Sequence, residues 1–256
     1  YKDLFAVLDY ACDGRSVRVN TNGLLLDKYS QKLAKYKNLK LQISLDGYND
    51  ETFYFVRNNH HFSKIVDNAI TAKKNGVDLY FRVTLTKKTL YTYEKFIELS
   101  KTIDIPIVIR PIYNTGEESQ QALKIEFEEL CEWQKDVINK NLLSYTGGKS
   151  LISESSCPLL KKEIVFSILT VDNIGNIYPC SILRSQKFYM GSIYNNSINE
   201  IFSKNDTIKS ELLNIINSEA CQKCGFRKNF GDGTCVSSCY LGNKKCIRKN
   251  IYGDLL

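Results

Sequence analysis

Seven of the nine cysteines lie at positions 157, 180, 221, 224, 235, 239 and 246, and the last five occupy only 26 positions. Such a cluster admits three structural devices: disulfides, zinc or iron–sulfur. Disulfides are rare in reducing compartments, and a chain of 256 residues with 43% hydrophobic content can build a core without them. A Cys-x2-Cys pair followed by further cysteines is a zinc signal, because two thiolates on one tight turn supply half a tetrahedron. Four of the seven would close one zinc site and leave three unused. Iron–sulfur clusters use the same thiolates and tolerate an open iron. By count alone, zinc and iron–sulfur remain open. Cys12 and Cys131 stand alone in segments that read as helix, and their simplest role is as small core residues.

Several functions are disfavoured by the same sequence. The only histidines are the adjacent His60 and His61 in a polar stretch, a poor setting for Ser-His-Asp or Cys-His catalysis. Lysine plus arginine exceeds aspartate plus glutamate, 35 against 28, for a net charge of +7. The basic residues fall in scattered pairs such as Lys73-Lys74 and Lys161-Lys162, so a soluble surface is expected and no nucleic-acid partner. No window approaches the roughly 18 apolar residues of a membrane span, and Lys2 and Asp3 stand where a secretory signal would be apolar. A cytoplasmic protein with no membrane partner is the expectation. The chain begins with Tyr1 and its single methionine is Met190, so it is expected to be a piece of something longer.

The first half alternates strand-like and helix-like stretches. Residues 17–20, 41–45, 77–85 and 105–112 read as strands, with helical spacing over 24–36, 62–75 and 91–102 between them. Asn22-Gly23 and Asp46-Gly47 close the first two strands, and Pro106 sits near the start of the fourth. Four βα units in series predict a parallel α/β sheet, curved or closed, with helices outside. A long helix over 127–143 follows. Residues 146–148 and 153–156 read as a boundary loop, dividing the chain into domains 1–148 and 149–256. Beyond it a hairpin turns at 172–175 between strands 164–171 and 176–178, with a short strand at 189–193 and helices near 198 and over 208–217.

Val19-Asn20-Thr21-Asn22-Gly23, then Ile43-Ser44-Leu45-Asp46-Gly47, with Arg57 shortly after, resembles the middle strands of radical S-adenosylmethionine (radical SAM) enzymes. The second half resembles the SPASM extension of that superfamily, which carries auxiliary [4Fe–4S] clusters. Cys157, then Gly175-x4-Cys180, Cys221-x2-Cys224, Cys235-x3-Cys239 and Cys246 stand in its order, and the likeness covers nearly all of 17–246. The resemblance implies a partial (β/α)6 radical SAM barrel, from its third strand onward, followed by a small cysteine-rich α+β SPASM domain. Barrels of this kind place their chemistry at the C-terminal ends of the strands. Ser44 and Asp46 fall there, able to reach a ribose or amino group, and Arg57 resembles the arginine that grips the methionyl carboxylate.

The resemblance further assigns Cys221, Cys224, Cys235 and Cys246 to one auxiliary cluster, and Cys157, Cys180 and Cys239 to the other, which would have an open iron. The ten residues between Cys224 and Cys235 exceed the family's usual gap of about five, so Cys235 is the ligand that fits the pattern least closely. The catalytic Cys-x3-Cys-x2-Cys triplet and the Gly-Gly-Glu signature are missing from the sequence. The first two βα units are therefore expected to precede Tyr1 in the parent protein; a non-catalytic homologue is the alternative. The implied activity is modification of a peptide or protein through a 5′-deoxyadenosyl radical. It would use S-adenosylmethionine, a third [4Fe–4S] cluster, two auxiliary clusters, and an electron donor such as flavodoxin or ferredoxin. Sulfatase-maturing relatives tend to carry aspartate after the cysteine that Cys180 matches. Ser181 argues instead for maturation of peptide natural products. The rival from another class is a zinc-binding interaction module.

Overall fold

The structure, a computed structural model, describes residues 2–112, 123, 125, 127–146, 169–181 and 183–216. The chain divides into two compact units, Tyr1–Gly148 and Lys149–Leu256.

In the first unit, helix α1 (Leu4–Ala11) precedes a repeated strand–helix alternation. Its members are β1 (Val17–Thr21), α2 (Leu26–Leu33), β2 (Leu39–Ser44), α3 (Asp50–Arg57), α4 (Phe62–Lys74), β3 (Leu79–Leu85), α5 (Tyr93–Ile103), β4 (Ile107–Pro111) and α6 (Phe127–Asn139). The four strands lie side by side in chain order and every pairing is parallel. A sheet that advances one strand per helical crossover, always in one direction, grows as a barrel wall grows. This is the α/β architecture of a partial barrel.

The two faces of the sheet differ sharply. Leu39, Leu41, Ile43, Phe81, Val83, Leu85, Ile107 and Ile109 are all buried. In parallel strands, residues in register share a face, so Leu41 beside Leu79 and Phe81 beside Ile107 form one continuous apolar layer. Helix α4 adds Ile65, Val66, Ala69 and Ala72, and α5 adds Phe96 and Ile97. The opposite face carries Asn20, Gln42, Ser44, Arg82, Thr84 and Arg110, none fully buried. A sheet covered by helices on one side and lined with polar groups on the other has its solvent-facing interior already marked out.

Two expected helices are shorter than their spacing suggests. The segment 24–36 yields α2 only over Leu26–Leu33, because the pairing of Val17 with Leu39 fixes where the chain must re-enter the sheet. The segment 127–143 yields α6 to Asn139, after which Asn141 adopts φ 55°, a left-handed stop. Cys12 caps α1 and Cys131 lies within α6. Burial, and then the charge of Asp9, push the Cys12 thiol up.

In the second unit, β5 (Thr170–Val171), β6 (Asn176–Tyr178) and β7 (Gly191–Ser192) form an antiparallel sheet in chain order. Helices α7 (Ile198–Ser203) and α8 (Asn205–Ile216) follow. Among the described residues its core holds Ile177, Leu183, Phe188, Met190, Ile201 and Ile208. The Asp172 carboxylate makes the hairpin turn by accepting from the backbone N–H of Ile174 (3.0 Å) and of Asn176 (2.8 Å), with Gly175 at φ +84°.

Candidate functional site

The C-terminal end of β2 is where the sequence motif becomes geometry. Ser44 ends the strand, Asp46 follows in the loop, and α3 returns Arg57 to them. Gly47 permits the return. A Cβ at that position would overlap the backbone of Phe53, so only glycine lets α3 fold this tightly over the loop. The helix is nucleated by Asn49, whose side chain accepts from the Thr52 N–H at 2.9 Å while Thr52 Oγ1 accepts from the Asn49 N–H at 3.2 Å. It is anchored by buried Phe53 and stopped by Asn58 in the left-handed region. Arg57 is its last residue.

Asp46 is almost wholly buried, and both its oxygens are occupied. Arg57 Nε donates to Oδ2 at 2.6 Å, with Nη2 of the same guanidinium also on Oδ2, and the Thr84 backbone N–H donates to Oδ1 at 2.7 Å. The sequence places Asp46 in reach of a ribose or amino group; the structure turns its carboxylate to Arg57 and to β3. Arg57 itself is 43% exposed. Its Nε edge faces Asp46, which leaves the Nη1–Nη2 edge as a pair of parallel donors for another carboxylate. The Ser44 hydroxyl is half-buried and has no hydrogen-bond partner among the described residues. The donor set therefore fits a small zwitterionic ligand with hydroxyls. Arg57 offers two N–H groups to a carboxylate, Ser44 offers a hydroxyl, and the one nearby anion is already neutralised.

The loop after β1 is held just as firmly. Gly23 has φ +78°, and an added Cβ would press Ile43 Cγ2 at 3.0 Å and Ile65 Cγ2 at 3.2 Å. Asn68 of α4, itself buried, donates to the carbonyls of Gly23 (3.0 Å) and Leu24 (3.1 Å). Neither Asn68 nor Thr84 stands out as a site residue in the sequence. The only signal for Asn68 is an amide on the apolar stripe of α4, and for Thr84, which acts through its backbone, there is none.

Among the expected metal ligands, Cys180 is described. It follows β6 at the end of the Gly175-x4-Cys180 hairpin, partly buried against the Ile177–Met190 core. A thiol delivered by a rigid hairpin to the rim of a small apolar cluster suits a cluster ligand shielded on one side. Cys157, Cys221, Cys224, Cys235, Cys239 and Cys246 lie outside the described residues.

Comparison with known proteins adds two domain matches. Residues 1–100 match the radical SAM superfamily and residues 163–246 match SPASM, an iron–sulfur cluster-binding domain. A cysteine-type anaerobic sulfatase-maturating enzyme of Clostridium perfringens is 23% identical over 227 residues, 80% of this chain and 60% of the relative. A GTP 3′,8-cyclase of Clostridium acetobutylicum is 23% identical over 176 residues, 64% of this chain and 55% of the relative. The chain thus spans a little over half the length of these curated relatives. Among solved structures, Streptococcus suis SuiB aligns with a TM-score of 0.71 at 13% identity, covering all of this chain and 63% of SuiB. Native anSMEcpe with bound AdoMet aligns at 0.63 and 18% identity, covering 91% of this chain and 71% of that one. Among the described residues, no helix is long and apolar enough to cross a membrane.

Proposed function

On the premise that this chain joins a radical SAM domain to a SPASM domain, we propose that it belongs to an enzyme that modifies a peptide or protein by radical chemistry. The observation that carries this reading is the conjunction, in one chain, of a strand end fitted for a zwitterionic ligand (Ser44, Asp46, Arg57) with a SPASM domain after it. The peptide is favoured by neighbours of the same fold: SuiB is known bound to the precursor peptide SuiA, and anSMEcpe with AdoMet and a peptide. Ser181, an exposed residue directly after Cys180, favours peptide natural-product maturation over sulfatase maturation.

When bound at its own iron–sulfur cluster, S-adenosylmethionine supplies a 5′-deoxyadenosyl radical, and the protein's part is to hold and orient it. Arg57 grips the methionyl carboxylate through its outer N–H pair, and buried Asp46 holds that guanidinium in one orientation. Ser44 offers its hydroxyl to the ribose or amino group. Cys221, Cys224, Cys235 and Cys246 hold one auxiliary cluster, and Cys157, Cys180 and Cys239 the other. A flavodoxin or ferredoxin delivers electrons, and the oxygen-sensitive thiolates suit a reducing cytoplasm. These 256 residues contain no Cys-x3-Cys-x2-Cys triplet, so activity is to be assayed in a polypeptide that supplies one.

Anaerobic, iron-loaded, full-length protein with dithionite should convert S-adenosylmethionine to 5′-deoxyadenosine. Arg57→Lys, which keeps the charge but loses the paired donors, should raise KM for S-adenosylmethionine about tenfold with a smaller change in kcat. Absence of 5′-deoxyadenosine from the iron-loaded wild type would overturn the proposal; an unchanged KM would remove Arg57 from the site.

A further inference from the structure

The loop that ends β1 carries an amide group that the fold does not use. Asn22 follows the strand directly, and its side-chain Oδ1 accepts from the Leu24 N–H at 3.2 Å. With the oxygen turned back onto the chain, Nδ2 is directed away from Leu24, and its two N–H donors have no partner among the described residues. Asn22 is exposed, so those donors are open to a ligand.

Free amides are ordinary on surface loops, but this one is fixed from several sides. Thr21 Oγ1 accepts from the Gly23 N–H at 3.1 Å. Buried Asn68, 45 residues away on α4, donates to the carbonyls of Gly23 and Leu24. Gly23 has φ +78°, and a Cβ there would press on Ile43 and Ile65. A donor held in place before its ligand arrives loses little freedom on binding.

Its position is equally specific. Thr21 pairs with Ile43, so the residues that follow them, Asn22 and Ser44, stand at the ends of neighbouring strands. Arg57 lies on the other side of Ser44: its guanidinium is bound to Asp46, and Asp46 to the Thr84 N–H of β3. The strand order β1-β2-β3 therefore sets an amide, a hydroxyl and a guanidinium side by side at the C-terminal strand ends. Asp46, the carboxylate of this group, already has both oxygens bonded. A ligand carboxylate has about four lone-pair sites, so the two N–H groups of Arg57 leave room for another donor.

We propose that Asn22 is a further binding residue of the site, its Nδ2 donating to the methionyl carboxylate of S-adenosylmethionine from the β1 side while Arg57 holds it from the β3 side. The inference rests on the radical SAM reading above. It gives a ligand contact to a residue whose sequence signal is only that of a turn.

The test is equilibrium dialysis, without reductant, of iron-loaded protein that supplies the cysteine triplet. The probes are S-adenosylmethionine and its decarboxylated analogue, which lacks only the carboxylate. Asn22→Ala should weaken S-adenosylmethionine about tenfold and leave the analogue unchanged. Asn22→Asp keeps the acceptor for Leu24, and with it the turn, but sets a negative charge against the ligand's; it should weaken S-adenosylmethionine more than Asn22→Ala does. Wild-type affinity in Asn22→Asp would mean that Asn22 only builds the turn, and would overturn the proposal. Equal weakening of both probes would overturn it too, since the contact would then lie elsewhere on the ligand. Either result beside normal wild-type binding sinks this inference alone. A wild type that binds neither probe sinks the cofactor-site reading and this inference with it.

Discussion

The two units solve the problem of stability in different ways. The first buries a broad layer from four strands and the helices over them, with Ile43, Leu45, Phe81, Val83, Leu85 and Phe96 wholly inaccessible. Among the described residues of the second, Ile177, Leu183, Phe188, Met190, Ile201 and Ile208 form one buried cluster beside a sheet whose strands are two or three residues long. Cys180 stands on the rim of that cluster, where a bound iron–sulfur cluster would tie further chain to it. The comparison teaches that in the first unit the ligand site is a consequence of the fold, whereas in the second, on the reading proposed above, bound clusters would help to build the fold.

If that contrast is right, removing iron should break one unit and spare the other. Chelation under reducing conditions should cost the second unit stability on the order of 10 kcal/mol, enough to unfold it. Limited proteolysis should then cleave beyond residue 148 and leave the first unit intact. Simultaneous loss of both units would erase the distinction. Next in size, Phe81→Ala should destabilise the first unit by about 3–5 kcal/mol in urea unfolding, with cluster absorbance unchanged in the folded protein. A loss under 1 kcal/mol would mean that the apolar layer is not what supports the sheet.

Gly47→Ala tests whether the site follows from the fold. The new methyl displaces α3 at the cost of about 1–3 kcal/mol and should raise KM for S-adenosylmethionine through Arg57, although neither atom of that contact is altered. A stability loss with unchanged KM would separate the helix from the site. The smallest effect lies where α5 meets α6. The Tyr93 hydroxyl donates to Asp136 Oδ2 at 2.8 Å, and Lys140 donates to the same oxygen at 2.8 Å. Tyr93→Phe should cost about 1 kcal/mol. Lys140 first, and then Tyr93, hold the Asp136 carboxyl below its ordinary value. Its contribution is therefore present above pH about 4 and lost as pH falls through the depressed value, and Asp136→Asn should flatten that acid limb of thermal stability.

Much of the first unit is legible in its sequence because the signals are local. Alternation marks the strands, and Asn22-Gly23 and Asp46-Gly47 mark loops that the structure keeps. The overlong expectation over 24–36 shows the limit: helical spacing continues through Lys35 and Tyr36, but the register of β1 with β2 ends the helix at Leu33. At the site, Ser44, Asp46 and Arg57 are visible as a motif, yet the partner of Asp46 on β3 lies 38 residues away and acts through its backbone. No spacing rule announces such a bond. In the second unit the sequence says more than the described structure, because cysteine order carries the pattern through residues whose positions are not described.

Metal analysis of the 256-residue chain, reconstituted anaerobically, tests the central claim most directly. The seven cysteines should bind about eight iron and eight acid-labile sulfide per chain, brown in colour, as two [4Fe–4S] clusters. One zinc ion per chain with no sulfide would contradict the account and make the second unit a zinc-binding module.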